Sequence, residues 1–344
     1  MLHENPPAQY PLNHPIPLPK APMKDDDPFV DRQGILAGSV RLTIGRVGQE
    51  IDVSGAIDSS RVYIPGVTVV IAPDAGIASD IAATRIVEVL RESGSRGLGT
   101  ATGGTMGPIW QRVHAQIASD AALDLQSLFT IGLDEYVGLS PSSPESYHQE
   151  MRSRLQPLQR FGFRSEQIYL PETWDDKTGR PKSPQQLREE CFRYEALVHS
   201  LPLRLQLLGL GHDGHIGFSM PWSDLHQRTH ISDLSPKTRA ANARFFSDDL
   251  DAVPKQAVTM GMGTLSAMAH RGTELLLIAT GAQKADAVRD ALFGMISPGC
   301  PASYLRLLPN VTFVLDQKAA GDLLGGVLEA PNPLISQPLR DMTS

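Results

Sequence analysis

A leucine-rich stretch, L-R-L-Q-L-L at 203–208, reads as a strand and leads without a break into G-L-G-H-D-G-H-I-G-F at 209–218. No other junction in the chain narrows the fold as much. A strand buried on both faces is mostly apolar, as in parallel sheets. In open α/β sheets the loop leaving such a strand's carboxyl end is where ligands settle. Gly209, Gly211 and Gly214 let the backbone approach a ligand and take dihedrals that a β-carbon forbids. Asp213 and His215 stand among them. An Asp two residues before a His can orient the imidazole for proton transfer; taken alone, the pattern reads equally well as a structural loop.

The same alternation recurs along the chain. Val67 to Ala72 is a β-branched run broken by Pro73-Asp74, and Ile77 to Leu90 follows with apolar residues at helical spacing. Gly97 to Ala101 leads into Thr102-Gly103-Gly104-Thr105 and a helical stretch from Ile109 to Ile117. Further strands are expected at 128–133, 203–208, 274–279 and 311–315, and helices at 185–200 and 284–293. Apolar strands alternating with helices predict an α/β fold built on a doubly wound, mostly parallel, Rossmann-like sheet. That main domain is expected over 66–330. Before it, residues 1–34 carry eight of the 27 prolines and read as a disordered arm. The alternation of Val40, Leu42 and Ile44, then Ile51 and Val53, predicts a β-hairpin within an extension at 35–65. The tail, 331–344, with Pro331, Pro333 and Pro338, reads as unpacked.

Composition excludes several classes. The net charge of −7 argues against a general nucleic-acid binder. Two distant cysteines, Cys191 and Cys300, supply neither a disulfide framework nor metal-ligand spacing. The first residues lack the basic-then-apolar order of a signal peptide, and no apolar run approaches the roughly 20 residues that span a bilayer. The expectation is a cytoplasmic protein without membrane or nucleic-acid partners; a homo-oligomer is compatible with the sequence.

Three loops besides 209–218 carry candidate chemistry. Thr102 to Thr105 places glycines and hydroxyls before a helix, where free N–H groups and the helix dipole favour an anion. The alternative is a tight strand-to-helix turn without a ligand. Asp134 ends a strand and precedes Glu135 and Tyr136. Neighbours on extended backbone point opposite ways, so at most one carboxylate faces the cleft. That carboxylate is a candidate general base or, more simply, a cap. Lys284 after Gly281, and Arg244 in T-R-A-A-N-A-R-F-F, are cations that could meet a phosphate, or remain solvated.

Taken together, these loops resemble the glucosamine-6-phosphate deaminase family, in the group that also holds 6-phosphogluconolactonases. The matching pieces are T-G-G-T at 102–105, L-D-E-Y-V-G-L at 133–139, P-E-S-Y at 144–147 and G-L-G-H-D-G-H-I-G-F at 209–218. T-R-A-A-N-A-R-F-F at 238–246, V-P-K-Q-A-V-T-M-G-M-G-T-L at 253–265 and G-A-Q-K-A at 281–285 complete them. The resemblance implies an aldose–ketose isomerase and deaminase that converts glucosamine 6-phosphate, or a related hexosamine phosphate, to fructose 6-phosphate and ammonia. Thr102, Gly103, Gly104, Thr105, Arg244 and Lys284 would hold the phosphate. Asp134 would move the proton between C2 and C1, and His215, oriented by Asp213, would serve the ring oxygen. The resemblance implies no cofactor and no metal.

Two features depart from the family pattern. Ser219-Met220-Pro221 stands where family deaminases carry N-E-P, whose Glu acts with the His in ring opening. His230 and Ser232 replace the basic residues with which regulated members hold an activator phosphate, so that activation is expected to be absent. Met220 keeps two other readings open: a lactonase acting on a sugar-phosphate lactone, and a non-catalytic sugar-phosphate-binding regulator.

Overall fold

The structure, a computed structural model, describes residues 42–44 and 67–321. The expected proline-rich arm, the second half of the expected hairpin and the C-terminal tail lie outside those residues.

In chain order the elements are β1 (Leu42–Ile44), β2 (Val67–Ala72), α1 (Ala75–Arg91), β3 (Arg96–Thr100), α2 (Met106–Ile117) and β4 (Leu128–Gly132). They continue with β5 (Asp134–Tyr136), α3 (Tyr147–Leu155), β6 (Ile168–Tyr169), β7 (Trp174–Asp175), β8 (Arg180–Pro181), α4 (Pro184–Ser200) and β9 (Leu203–Gly209). The last are β10 (His230–Asp233), α5 (Pro236–Asn242), β11 (Gln256–Thr259), α6 (Met262–His270), β12 (Glu274–Ala279), α7 (Ala285–Phe293), β13 (Val311–Asp316) and α8 (Gln317–Ala320).

Helix starts follow local chemistry. The Asp74 carboxylate accepts from the Ile77 N–H at 2.9 Å and caps α1. Ser183 and Gln186 form a reciprocal capping box before α4, with Pro184 at its first turn.

Eight strands form one sheet in the order β1-β2-β13-β12-β9-β3-β4-β6, and every pairing in it is parallel. The described piece of the expected hairpin, Leu42–Ile44, is thus an edge strand running parallel to β2. Leu205, Leu207 and Leu208 on β9, and Leu275 to Ile278 on β12, are buried. Each such side chain stabilises the fold by roughly 1.5–3 kcal/mol.

The chain builds outward from β3 in one direction through β4 and β6, then returns to lay β9 on the other side of β3 and continues through β12 and β13. The order therefore switches between β3 and β9. Loops leaving the carboxyl ends of those two strands diverge and open a crevice, the usual ligand position of such sheets. β3 can sit between its neighbours because Gly97 and Gly99 carry no side chain. A β-carbon at Gly97 would strike the Phe129 ring and Leu203, and one at Gly99 would strike the Gln206 side chain and lie 2.9 Å from its Cα.

A second, antiparallel sheet of order β10-β11-β5 was not anticipated from the sequence. The Leu133 N–H still bonds to Thr100 O of the large sheet at 3.0 Å, whereas Asp134, one residue on, pairs with Thr259 of β11. In sequence β4 and β5 look like one strand; in space the chain changes sheets at Leu133. Among the described residues no helix is long and apolar enough to cross a membrane.

Overpacking of a close-packed interior destabilises by about 1–3 kcal/mol. We expect Gly99→Ala to lose unfolding free energy of that size, seen as a lower urea midpoint; an unchanged midpoint would contradict the close approach of β3 and β9.

Candidate active site

The crevice between the β3 and β9 loops is a cavity of about 180 Å³. Its lining includes Thr102, Gly103, Gly104, Thr105, Asp134, His215, Arg244 and Lys284. Eight of the nine residues proposed from the sequence thus converge, and the ninth, Asp213, lies directly behind His215. A larger cavity of about 490 Å³ adjoins at Gly103, Tyr147 and Phe245, and no candidate acid, base or cation of the sequence reading except Gly103's loop borders it.

The 102–105 loop turns at Gly103, whose φ of +96° suits glycine alone. Thr105 caps α2 without a side-chain hydrogen bond. The first N–H groups of a twelve-residue helix thus face the cavity with its positive dipole end. The Arg244 guanidinium stands above this loop, with Nη2 4.0 Å from the position a β-carbon on Gly104 would take. Arg244 also lies over the Phe245 ring at 4.7 Å, while Phe246 is buried and anchors the segment. Lys284, at the end of the short turn that precedes α7, donates to Leu210 O at 2.7 Å. Burial and then the neighbouring Arg244 hold its ammonium below its ordinary value. The Gly281 N–H that starts this turn is held by Asp316 at the end of β13. Two cations and a helix N-terminus therefore face one point in a protein of net negative charge.

In the loop after β9, His215 Nδ1 lies 2.6 Å from Asp213 Oδ1. Burial alone would raise the Asp213 carboxyl; the hydrogen bond and charge of His215 outweigh it and hold the group well below the usual carboxylate range. The imidazole rests directly on Gly211, where a β-carbon would overlap it, and Gly214 turns at φ +81° against Cys300. These contacts are why the loop needs glycine at both positions. His212 also lines the cavity; its Nε2 is 3.8 Å from Asp213 Oδ2 and has no hydrogen-bond partner among the described residues.

Asp134 is the third corner. It is 5% exposed, and its Oδ2 lies 3.2 Å from the position of a β-carbon on Gly217. Burial first, then the charges of Glu135 and Glu150, push its carboxyl well above the ordinary carboxylate value. Glu135 points the other way, as alternation requires. It accepts from Ser146 Oγ at 2.8 Å and from the backbone of Tyr147 and His148, and so fastens the start of α3. One carboxylate serves the cavity and its neighbour the scaffold.

The sequence reading missed Tyr147, Phe218, Thr238, Asn242 and His212, all in the lining. Tyr147 and Asn242 lay within matched motifs, but nothing in their spacing said which way they face. Asn242 Nδ2 donates to Tyr136 Oη at 2.9 Å, and Tyr136 packs against Tyr147 with ring centroids 4.9 Å apart. Met220 is buried and does not line the cavity; its Sδ is 3.9 Å from Thr238 Oγ1.

Fold and site are those of a doubly wound α/β protein with a crevice at its strand switch that is bordered by two cations and a helix N-terminus. Residues 75–312 match the family described as glucosamine-6-phosphate isomerases/6-phosphogluconolactonase, and the chain belongs to that family. A glucosamine-6-phosphate deaminase of Rhodopirellula baltica is 41% identical over 254 residues, covering 73% of this chain and 93% of the relative. One from Bacillus velezensis is 39% identical over 244 residues, covering 71% and 94%. Among solved structures, a monomeric glucosamine-6-phosphate deaminase superposes with a TM-score of 0.65 at 37% identity, covering 74% of this chain and 98% of the other. A 6-phosphogluconolactonase from Trypanosoma brucei shares the fold, with a TM-score of 0.58, 20% identity and coverage of 74% and 98%.

Adding a methyl at Gly211 should push the ring off its carboxylate. In Gly211→Ala the Asp213 carboxyl then returns toward its ordinary value of 3.8, read by carbon-13 NMR titration. Gly209→Ala, whose new methyl meets nothing within 4 Å, should leave that titration in place. Equal behaviour of the two variants would refute the packing argument.

Proposed function

We propose that this protein is an aldose–ketose isomerase and deaminase acting on glucosamine 6-phosphate or a closely related hexosamine phosphate. The observation that carries this reading is the convergence of Asp134, the Asp213–His215 pair and the cationic loop on one small cavity. The names of the relatives at about 40% identity point the same way.

The roles follow from position and charge. The N–H groups of the 102–105 loop, Arg244 and Lys284 hold the phosphate and thereby fix the far end of the sugar. His215, kept in one orientation by Asp213, transfers a proton at the ring oxygen, so the ring opens to an aldehyde. Asp134 then removes the proton on C2 and returns it to C1. The electron pair of the C2–H bond becomes the C1=C2 bond of an enolamine while the C1 carbonyl oxygen takes a proton and becomes a hydroxyl. The nitrogen lone pair then forms the C=N bond at C2 as the C1=C2 pair takes up the proton at C1, and the nitrogen gives up a proton. Water adds to that imine and ammonia leaves, giving the ketose phosphate. Low exposure suits Asp134 to this work, because a desolvated carboxylate is a stronger base than one in water. Each positioned acid or base contributes a rate factor of about 10²–10⁴. Since Met220 accepts no proton, ring opening falls to His215 with Asp213 alone.

The deciding measurement is ammonia release from glucosamine 6-phosphate, set beside hydrolysis of 6-phosphogluconolactone. Ammonia release is expected; lactone hydrolysis without it would transfer the protein to the lactonase reading, and phosphate binding with neither would make it a binding protein. Asp134→Asn should lower kcat by at least about 10²-fold, with the affinity for inorganic phosphate retained, as measured by calorimetry. Lost phosphate affinity with turnover retained would overturn the assignment of the base.

The pH profile has a definite sign. Because the Asp134 pKa is raised, the active carboxylate form appears only as pH climbs past that raised value. The acid limb of kcat/KM should therefore lie above the ordinary carboxylate value of 3.8 and vanish in Asp134→Asn measured at its residual rate.

A further inference from the structure

Behind the anion loop lies a pair of charged side chains that the mechanism above does not use. Glu150 Oε1 accepts from the Gly103 N–H at 3.2 Å, and Arg154 Nη2 donates to the Gly103 carbonyl at 3.0 Å. The two side chains, one turn apart on α3, pair with each other at 2.5 Å. Both polar backbone atoms of one glycine are thus gripped by one ion pair. Their side chains are 26% and 17% exposed.

Resting on the reading that this loop receives the substrate's phosphate, we propose that Glu150 and Arg154 are positioning residues that fasten the loop through Gly103 and so set its affinity for phosphate. Glycine at φ +96° has no side chain to restrict it, and a T-G-G-T loop left to itself samples many peptide orientations. Fixing Gly103 fixes the direction of the next two N–H groups, those of Gly104 and Thr105, before a ligand arrives. Preorganised donors bind more tightly because less freedom is lost on binding.

The grip also assigns the donors. The Gly103 N–H is engaged by Glu150, so the groups left to the anion are those of Gly104 and Thr105, with Arg244 and Lys284. Charge balance explains the pairing: a lone carboxylate so near the loop would repel a phosphate, and Arg154 neutralises it. The helix that carries the pair is in turn held by Glu135, adjacent to Asp134. One short segment therefore both presents the base and steadies the phosphate loop.

The test compares the full-length protein with Arg154→Met, Arg154→Lys and Glu150→Gln. The readouts are the Kd of inorganic phosphate by calorimetry, KM and kcat for glucosamine 6-phosphate, and the melting temperature. Arg154→Met should raise Kd and KM together by about tenfold while kcat stays within about threefold, because the reacting end of the sugar is untouched. Arg154→Lys, which keeps the charge and one donor, should recover part of the loss, and Glu150→Gln, which keeps an acceptor for Gly103, should show less than the Met variant. Unchanged Kd and KM in a folded Arg154→Met protein, or a fall in kcat alone, would overturn the proposal. Should that variant not fold, Arg154→Lys decides: an intermediate rise in Kd supports the grip and an unchanged Kd ends it. A native protein that binds phosphate without turning over the amino sugar would remove the proposed reaction, while the phosphate Kd values would still judge the grip.

Discussion

The pairing of β3 with β9 is the contact on which the rest of the molecule depends. These strands are far apart in sequence, and the chain reaches β9 only after building β4, β6 and α4 on the other side. Laying it beside β3 reverses the direction of growth of the sheet. The two strands' carboxyl-terminal loops then have no crossover between them, and each can point its own chemistry into the gap. The pairing is possible because β3 gives up two side chains: Gly97 and Gly99 yield their space to Phe129, Leu203 and Gln206. A strand weakened by two glycines is held by neighbours on both sides, which is why it can lie only in the middle of the sheet.

The chemistry of the cavity comes from unequal desolvation. Asp134 and Asp213 are carboxylates of the same type driven in opposite directions. Asp134 is buried and feels the charges of Glu135 and Glu150, and its proton is held more firmly. Asp213 loses water too, but the His215 imidazole at 2.6 Å more than offsets that loss. One acid holds its proton more firmly than usual and the other is a carboxylate paired with an imidazole. Arg244, Lys284 and the start of α2 border the same cavity as these acids.

A good deal of this was legible in the chain. The apolar strands expected at 67–72, 274–279 and 311–315 declared themselves by composition and by the glycines, prolines and acids that follow them; the last runs one residue further, to Asp316. Alternation along 134–136 allowed at most one of the two adjacent carboxylates to face the cleft, and Asp134 lines the cavity while Glu135 fastens the start of α3. The antiparallel sheet was not legible, because β5 is three residues long and continues β4 after a single leucine. Nor were the orientations of His212, Tyr147 and Asn242, since each sits in irregular backbone or on a short helix where no period tells inside from outside.

Sequence by itself determined the kinds of residue available: a strand–glycine loop with an acid and an imidazole, a hydroxyl–glycine turn ahead of a helix, one acid at a strand tip, and two cations. Local rules of propensity, capping and glycine freedom suffice for that, because they act over a few residues. Only the tertiary structure decided that these pieces meet, which of them line the cavity, and how strongly each holds its proton. Those properties arise from contacts between residues such as Asp134 and Gly217, or Gly103 and Arg154, that are tens of positions apart, and from the water those contacts exclude.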